Sequence, residues 1–132
     1  MKLAIIGSRK FTDREFLYIS ANKLSPSEII SGGAVGADAL AVDFANDNNI
    51  PLIEYKPDLN KYGSPAAFHI RNRAIAEQAD IILACCFGKL SGGTKSTVTA
   101  ARKLNKRVVI ITQNPDQSEN QASPVGQMLL FS

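Results

Sequence analysis

The sequence predicts an α/β fold: an open parallel sheet of about five strands with helices on both faces. Two observations carry the prediction. Five short, mostly apolar runs alternate with stretches that have helical character, and such alternation marks strand–helix–strand units in a parallel sheet. Crossovers between parallel strands are right-handed, so successive helices have defined sides. Glycine-rich turns follow the first, second and fourth runs, at Gly7, at Gly32, Gly33 and Gly36, and at Gly92 and Gly93. All of these turns then lie along the carboxyl edge of the sheet, where open Rossmann-like sheets bind their ligands.

Leu3-Ala-Ile-Ile6 is wholly apolar, as a central strand covered on both faces requires. Thr12 and Glu15 have capping-box spacing, and Phe11 with Phe16 fits a hydrophobic staple, so a helix is expected from about Asp13 to Lys23. A Ser-Pro-Ser turn precedes the second strand, Glu28 to Ser31. The stretch Ser31-Gly-Gly-Ala-Val-Gly-Ala-Asp38 opens a second helix, whose Ala37, Leu40, Ala41, Phe44 and Ala45 form one apolar stripe. Pro51 to Glu54 reads as the third strand, and Tyr55 to Gly63 as a polar loop over the strand ends. Ser64 and Pro65 fit the cap and first position of a third helix with Ala66, Ala67, Ile70, Ala74 and Ile75 on its core face. Ile81 to Cys86 is the fourth strand; after its glycine turn a helix runs to about Leu104, and Val108 to Thr112 is the fifth strand. Residues 1–112 therefore form the domain and 113–132 a tail, polar and helix-breaking from Asn114 to Pro124, with Met128 to Phe131 apolar enough to pack back onto the domain.

At 132 residues, 45% of them apolar, the chain suits one domain that buries about two thirds of its unfolded surface. Fifteen Lys and Arg against twelve Asp and Glu leave +3, too little to imply nucleic acid unless the charge is focused. Adjacent Cys85 and Cys86 in a core strand read as reduced thiols of a cytoplasmic protein. Neither a secretory leader nor an apolar run of about 20 residues occurs, so no membrane association is expected.

The cations sharpen the functional reading. Arg9 precedes the first helix and Lys95 falls in the first turn of the fourth, where positive charge opposes the helix dipole at a cost of about 0.3–1 kcal/mol. An anionic ligand between them would reverse that sign. Arg71 and Arg73 sit about 200° apart on the third helix, so at most one faces the cleft directly. Asp38 is favourable in a first helical turn whatever its function; a functional Asp38 would bond a sugar hydroxyl or orient an arginine. Gly88 to Ser96 misses the nucleotide-triphosphatase phosphate-loop pattern, because Thr94 separates the glycine from Lys95. His69 is the only histidine, and it lacks a ligand-spaced partner, so no metal site is expected; no G-x-S-x-G elbow is present either.

Gly7-Ser8-Arg9, the Ser31 to Asp38 stretch, Arg71-Asn72-Arg73 and Ser91-Gly-Gly-Thr94 resemble, in order and spacing, the motifs of the SLOG superfamily of Rossmann-like domains, and most of all its small stand-alone YspA branch. The resemblance covers about Met1 to Thr112. It implies a nucleotide-derived ligand held by these four motifs together with Lys95, with phosphate on the Gly92-Gly93-Thr94 turn near Ser8 and Arg9. Two related groups point in different directions. The LOG phosphoribohydrolases are similar in the last glycine turn and in an arginine on the preceding helix, but their turn continues to a catalytic carboxylate where this chain has Lys95, Ser96 and Thr97. DprA proteins, which bind single-stranded DNA, are similar around Asp38 and from Arg71 to Ile75. Binding of a nucleotide or nucleotide-derived small molecule is the first expectation, with nucleoside-monophosphate hydrolysis and single-stranded DNA binding as alternatives. Catalysis and homo-oligomer formation stay open at this point.

Overall fold

The structure, a computed structural model, describes residues 1–115. Five strands, β1 (Lys2–Gly7), β2 (Glu28–Ser31), β3 (Leu52–Glu54), β4 (Ile81–Phe87) and β5 (Arg107–Gln113), form one sheet in the order β3-β2-β1-β4-β5. Every pairing is parallel, with Leu3 opposite Ile29 on one side and Ile81 on the other. Strand order therefore reverses between β1 and β4. At that point the chain's connections diverge to opposite sides and leave a crevice beyond the strand ends.

The helices divide accordingly. α1 (Arg14–Leu24) and α2 (Ala37–Asp47) cover one face, where Leu3, Ile5, Leu83 and Ile111 pack with Phe11, Phe16, Leu17 and Phe44. α4 (Ala66–Gln78) and α5 (Gly92–Lys103) cover the other, where Ala4, Ile6, Ile82 and Ala84 meet Ile75, Ala76, Val98 and Ala101. The apolar run Leu3 to Ile6 of β1 and the wholly apolar β4 are explained by this burial on both sides. The short α3 (Leu59–Tyr62) stands in the segment expected to be loop; Asp58 caps it by accepting the Lys61 N–H.

Three local expectations shift. Asp13, not Thr12, caps α1, accepting the Phe16 N–H at 3.1 Å. Thr12 is instead held by Gln113, whose side-chain oxygen accepts the Thr12 N–H at 2.8 Å and whose amide nitrogen donates to the Thr12 hydroxyl at 3.0 Å. β5 also runs one residue into the expected tail, where Gln113 pairs with Phe87 of β4. α4 begins after Pro65 rather than at it, and its buried stripe runs through Ala67, Asn72, Ile75 and Ala76. Ala66 is exposed and Ile70 is 44% exposed, since the helix is rotated to turn Asn72 inward. The Met128 to Phe131 expectation lies outside the described residues. No described helix is long and apolar enough to cross a membrane.

Candidate ligand site at the carboxyl edge

The turn from β2 into α2 is built from its own polar groups. The Ser31 hydroxyl accepts the Gly33 N–H at 3.2 Å and donates to the Asp38 carbonyl at 3.3 Å. One carboxylate oxygen of Asp38, Oδ2, accepts the Ala34 N–H at 3.1 Å. The Ser8 carbonyl receives the Ala37 N–H at 3.2 Å, which ties the β1 turn to the start of α2. At Gly36 the backbone takes φ +74°, and any Cβ there would run into the Arg9 carbonyl. The position needs glycine on both counts.

Arg71 reaches into this turn from α4. Its Nη1 donates to the Gly32 carbonyl at 2.9 Å and to the Tyr55 carbonyl at 3.4 Å, while its Nε donates to Asn72 Oδ1 at 2.9 Å. One guanidinium thus joins the ends of β2 and β3 to the opposite helical layer. Gly32 lies between it and Asp38: a Cβ would sit 2.8 Å from Nη1 and 3.0 Å from Oδ2. Arg71 and Asp38 are not in ion-pair contact, for the salt bridge found among the described residues joins Arg14 to Asp43.

The turn from β4 into α5 is different. Ser91 occupies the cap position with extended backbone, but its side chain makes no capping bond, and no acidic residue stands in the first turn. The first N–H groups of a helix have no partner within it. Here they open onto a cavity of about 200 Å³ that both turns enclose. Ser8, Asp38, Arg71, Asn72, Ser91, Gly93 and Thr94 line it, along with Gly7, Lys89, Cys86 and Thr97.

Asn72 is 5% exposed. Its Oδ1 faces the Arg71 Nε–H, which fixes the orientation of the amide, and its Nδ2 then lies on the cavity side, near Gly93. Among the described residues no acceptor meets that nitrogen. Two cations among the described residues, Arg71 and Lys89, and the positive end of α5 border the cavity, against one carboxylate. Burial pushes the Asp38 carboxyl above the usual carboxylate range, partly offset by the Ala34 N–H and by Arg71. Burial also lowers the Arg71 guanidinium from its ordinary value, opposed by Asp38. The Cys86 thiol is pushed up by burial, so it meets the cavity as a neutral group.

The expected residues separate into three sets. Gly7, Ser8, Asp38, Arg71, Asn72, Ser91, Gly93 and Thr94 converge on the cavity. Ser31, Gly32, Gly33 and Gly36 stand behind it as framework; Gly33 adopts φ +77° beside Glu54. Arg9 is exposed and outside the lining, and Arg73, Lys95 and Gly92 border a separate groove between α4 and α5 with His69 and Glu77. The 200° separation of the two arginines is realised, with Arg71 inward. Lys89, Thr97 and Cys86 were not singled out by sequence. Lys89 follows β4 on the ligand edge, a position that signals it; Cys86 is placed there by strand alternation, which sends Cys85 to the opposite layer. Among the described residues no cluster of His, Cys, Asp and Glu could hold a metal ion.

The model of the YspA, cpYpsA-related SLOG family matches residues 1–62. The resemblance seen in the sequence motifs is thereby borne out from β1 through α3. Among solved structures, the chain is similar to DNA processing protein A (DprA) from Streptococcus pneumoniae, with TM-score 0.67 and 21% identity over 97% of this chain and 55% of that one. That likeness shows the shared Rossmann-like fold. A weaker match is glycinamide ribonucleotide transformylase 1 from Geobacillus kaustophilus, at TM-score 0.43 and 19% identity, covering 97% of this chain and 66% of that one. The chain thus spans about half the length of the DprA structure, 55%, and 66% of the transformylase chain. No curated protein matches it significantly.

Proposed function

We propose that the cavity binds the phosphorylated end of a nucleotide or nucleotide-derived small molecule. The observation that carries this reading is the uncapped, acid-free start of α5, open to a cavity in which the buried Asn72 amide nitrogen lacks an acceptor. A phosphate would accept from the first α5 N–H groups and from Asn72, with the Ser91 and Thr94 hydroxyls, Arg71 and Lys89 beside it. Free helix-terminal N–H groups and the dipole favour an anion at this position. The volume, about 200 Å³, is below the roughly 300–1,000 Å³ typical of sites that enclose a drug-sized ligand. It suits a phosphate and sugar, with a base directed to the mouth.

Isothermal titration with AMP, ADP-ribose and inorganic phosphate tests the reading. Heat with at least one of them, weakened about tenfold or more in Arg71→Ala, supports it; no heat with any of them abandons it. A short single-stranded oligonucleotide that binds in their place, with affinity falling steeply as salt rises, would transfer the reading to nucleic acid.

A hydrolytic reading has one observation in its favour. Among the described residues Asp38 is the sole carboxylate on the cavity lining, it is buried, and burial holds its carboxyl above its ordinary value, the direction that favours a proton-transferring group. The first turn of α5 supplies no acid, so N-glycosidic cleavage would have to run through Asp38. Release of free base from AMP, lost in Asp38→Asn, would establish it; no release from a bound nucleotide would reject it.

A further inference from the structure

Resting on that phosphate reading, we infer that Asp38 reads the sugar hydroxyls of the ligand and makes the site selective for ribose phosphates over 2-deoxyribose phosphates. An anion site that contains a carboxylate needs a reason for it. Asp38 is 7% exposed and borders the same cavity as Arg71, Lys89 and the start of α5. Its charge repels any ligand that is anionic throughout. It does not neutralise Arg71 by direct pairing, since the guanidinium N–H groups with assigned partners go to Gly32, Tyr55 and Asn72.

The carboxylate has one oxygen to spare. Oδ2 is used by the Ala34 N–H, whereas Oδ1 meets no donor among the described residues. A buried carboxylate oxygen without a donor is costly to maintain, and that cost is removed when a ligand brings a hydroxyl. Among the described residues the cavity lining therefore carries two side chains, each with an unfilled polar atom, of opposite kind. Asn72 Nδ2 is a donor on the α4 side, and Asp38 Oδ1 is an acceptor on the α2 side, with the strand-order reversal between the two helical layers. A complementary ligand has acceptor oxygens at one end and hydroxyl donors at the other, as a sugar phosphate does. With one oxygen to spare, the carboxylate accepts from the 2-hydroxyl of ribose; a 2-deoxy sugar keeps its 3-hydroxyl but brings no donor to that place, so discrimination comes from a buried oxygen that the wrong ligand cannot satisfy.

The test is titration of the full chain with inorganic phosphate, ribose 5-phosphate and 2-deoxyribose 5-phosphate, probes that carry no base. Wild-type protein should prefer ribose 5-phosphate over its deoxy analogue by about tenfold or more, the effect of a hydrogen bond to a charged group. In Asp38→Asn, whose amide oxygen still accepts the Ala34 N–H, that preference should shrink to about threefold or less. Inorganic phosphate should bind the variant at least as tightly as it binds wild type, because a repelling charge is gone; a merely structural Asp38 predicts weaker binding of everything. Equal wild-type affinity for the two sugars, with phosphate bound, overturns the inference and leaves the phosphate reading standing. So does a preference that survives in the variant. If none of the three binds wild-type protein, this inference fails, and the phosphate reading fails with it only where AMP and ADP-ribose do not bind either. The wild-type comparison decides even where the variant does not fold.

Discussion

Two turns of this molecule look alike in sequence and behave oppositely in structure. Each is a strand followed by paired glycines and a helix. The β2–α2 turn is saturated from within: Ser31, Asp38 and Arg71 all bond its backbone, and Gly36 is pressed against the Arg9 carbonyl. The β4–α5 turn is unsatisfied. Ser91 makes no side-chain cap, and among the described residues a Cβ at Gly92 would meet nothing within 4 Å. Glycine therefore serves close packing in the first turn and stands in open space in the second, where Gly92 borders the outer groove and Gly93 the cavity. A glycine-rich motif marks a backbone that must come close to something; only the surroundings tell whether that something is the protein itself.

The contrast breaks most visibly at the glycines. Gly36→Ala has both positive φ and a collision with backbone to absorb, and should destabilise by about 2–4 kcal/mol, read as a drop of roughly 10 °C in Tm. Gly92→Ala carries the cost of positive φ alone, at φ +60°, and should lose only about 1–2 kcal/mol. Equal losses in thermal denaturation would erase the distinction between packed and open turns. Next in size is Arg71→Lys. It keeps the charge and loses the planar fork that spans Gly32, Tyr55 and Asn72, so stability should fall by about 1–3 kcal/mol and phosphate binding should weaken despite the unchanged charge. Binding as tight as wild type would mean that Arg71 acts at the site only as a point charge.

The same contrast explains what the sequence could and could not disclose. Strand alternation, the apolar stripe of α2 and the edge on which the glycines lie are consequences of period and order, and all were legible. The match to the SLOG family model, over residues 1–62, likewise falls on the packed turn. Side-chain direction was less legible. Lys95 and Arg73 have the right charge and the right elements, yet α5 and α4 present them to the outer groove. Ile70 was expected inside and Asn72 only as part of a motif, because helical periodicity ranks residues by apolarity and here a buried amide displaced an isoleucine. The capping change at α1 has a similar origin. Thr12 fits a capping box locally, but Gln113, about 100 residues away in the chain, claims its hydroxyl and leaves Asp13 to cap.

A smaller effect sharpens the open side of the comparison by giving stability and binding opposite signs. Thr94→Asp places a carboxylate in the first turn of α5, which now has none. In the free protein it should complement the dipole and add about 0.3–1 kcal/mol, a rise of a few degrees in Tm. It should also occupy the anion position and abolish phosphate binding. A variant that is stabilised and still binds phosphate would place the ligand away from α5.

The smallest effect concerns Asp38, where burial acts in one direction and two neighbours in the other. Burial raises its carboxyl, and the Ala34 N–H and Arg71 draw it back. A carboxyl raised on folding binds protons more readily in the folded state, so it contributes to stability below the unfolded value of about 3.9 and that contribution is lost as pH rises to the folded value. Other carboxylates titrate in the same window, and comparison with Asp38→Asn isolates this one. The difference in Tm, variant minus wild type, should therefore grow as pH rises from below 4 toward neutrality, then stay level. A difference that shrinks over that range would mean that Ala34 and Arg71 favour the charged form more than burial opposes it. The α2 side of the cavity would then be as internally satisfied as the turn it belongs to, leaving no unfilled oxygen for a sugar to meet.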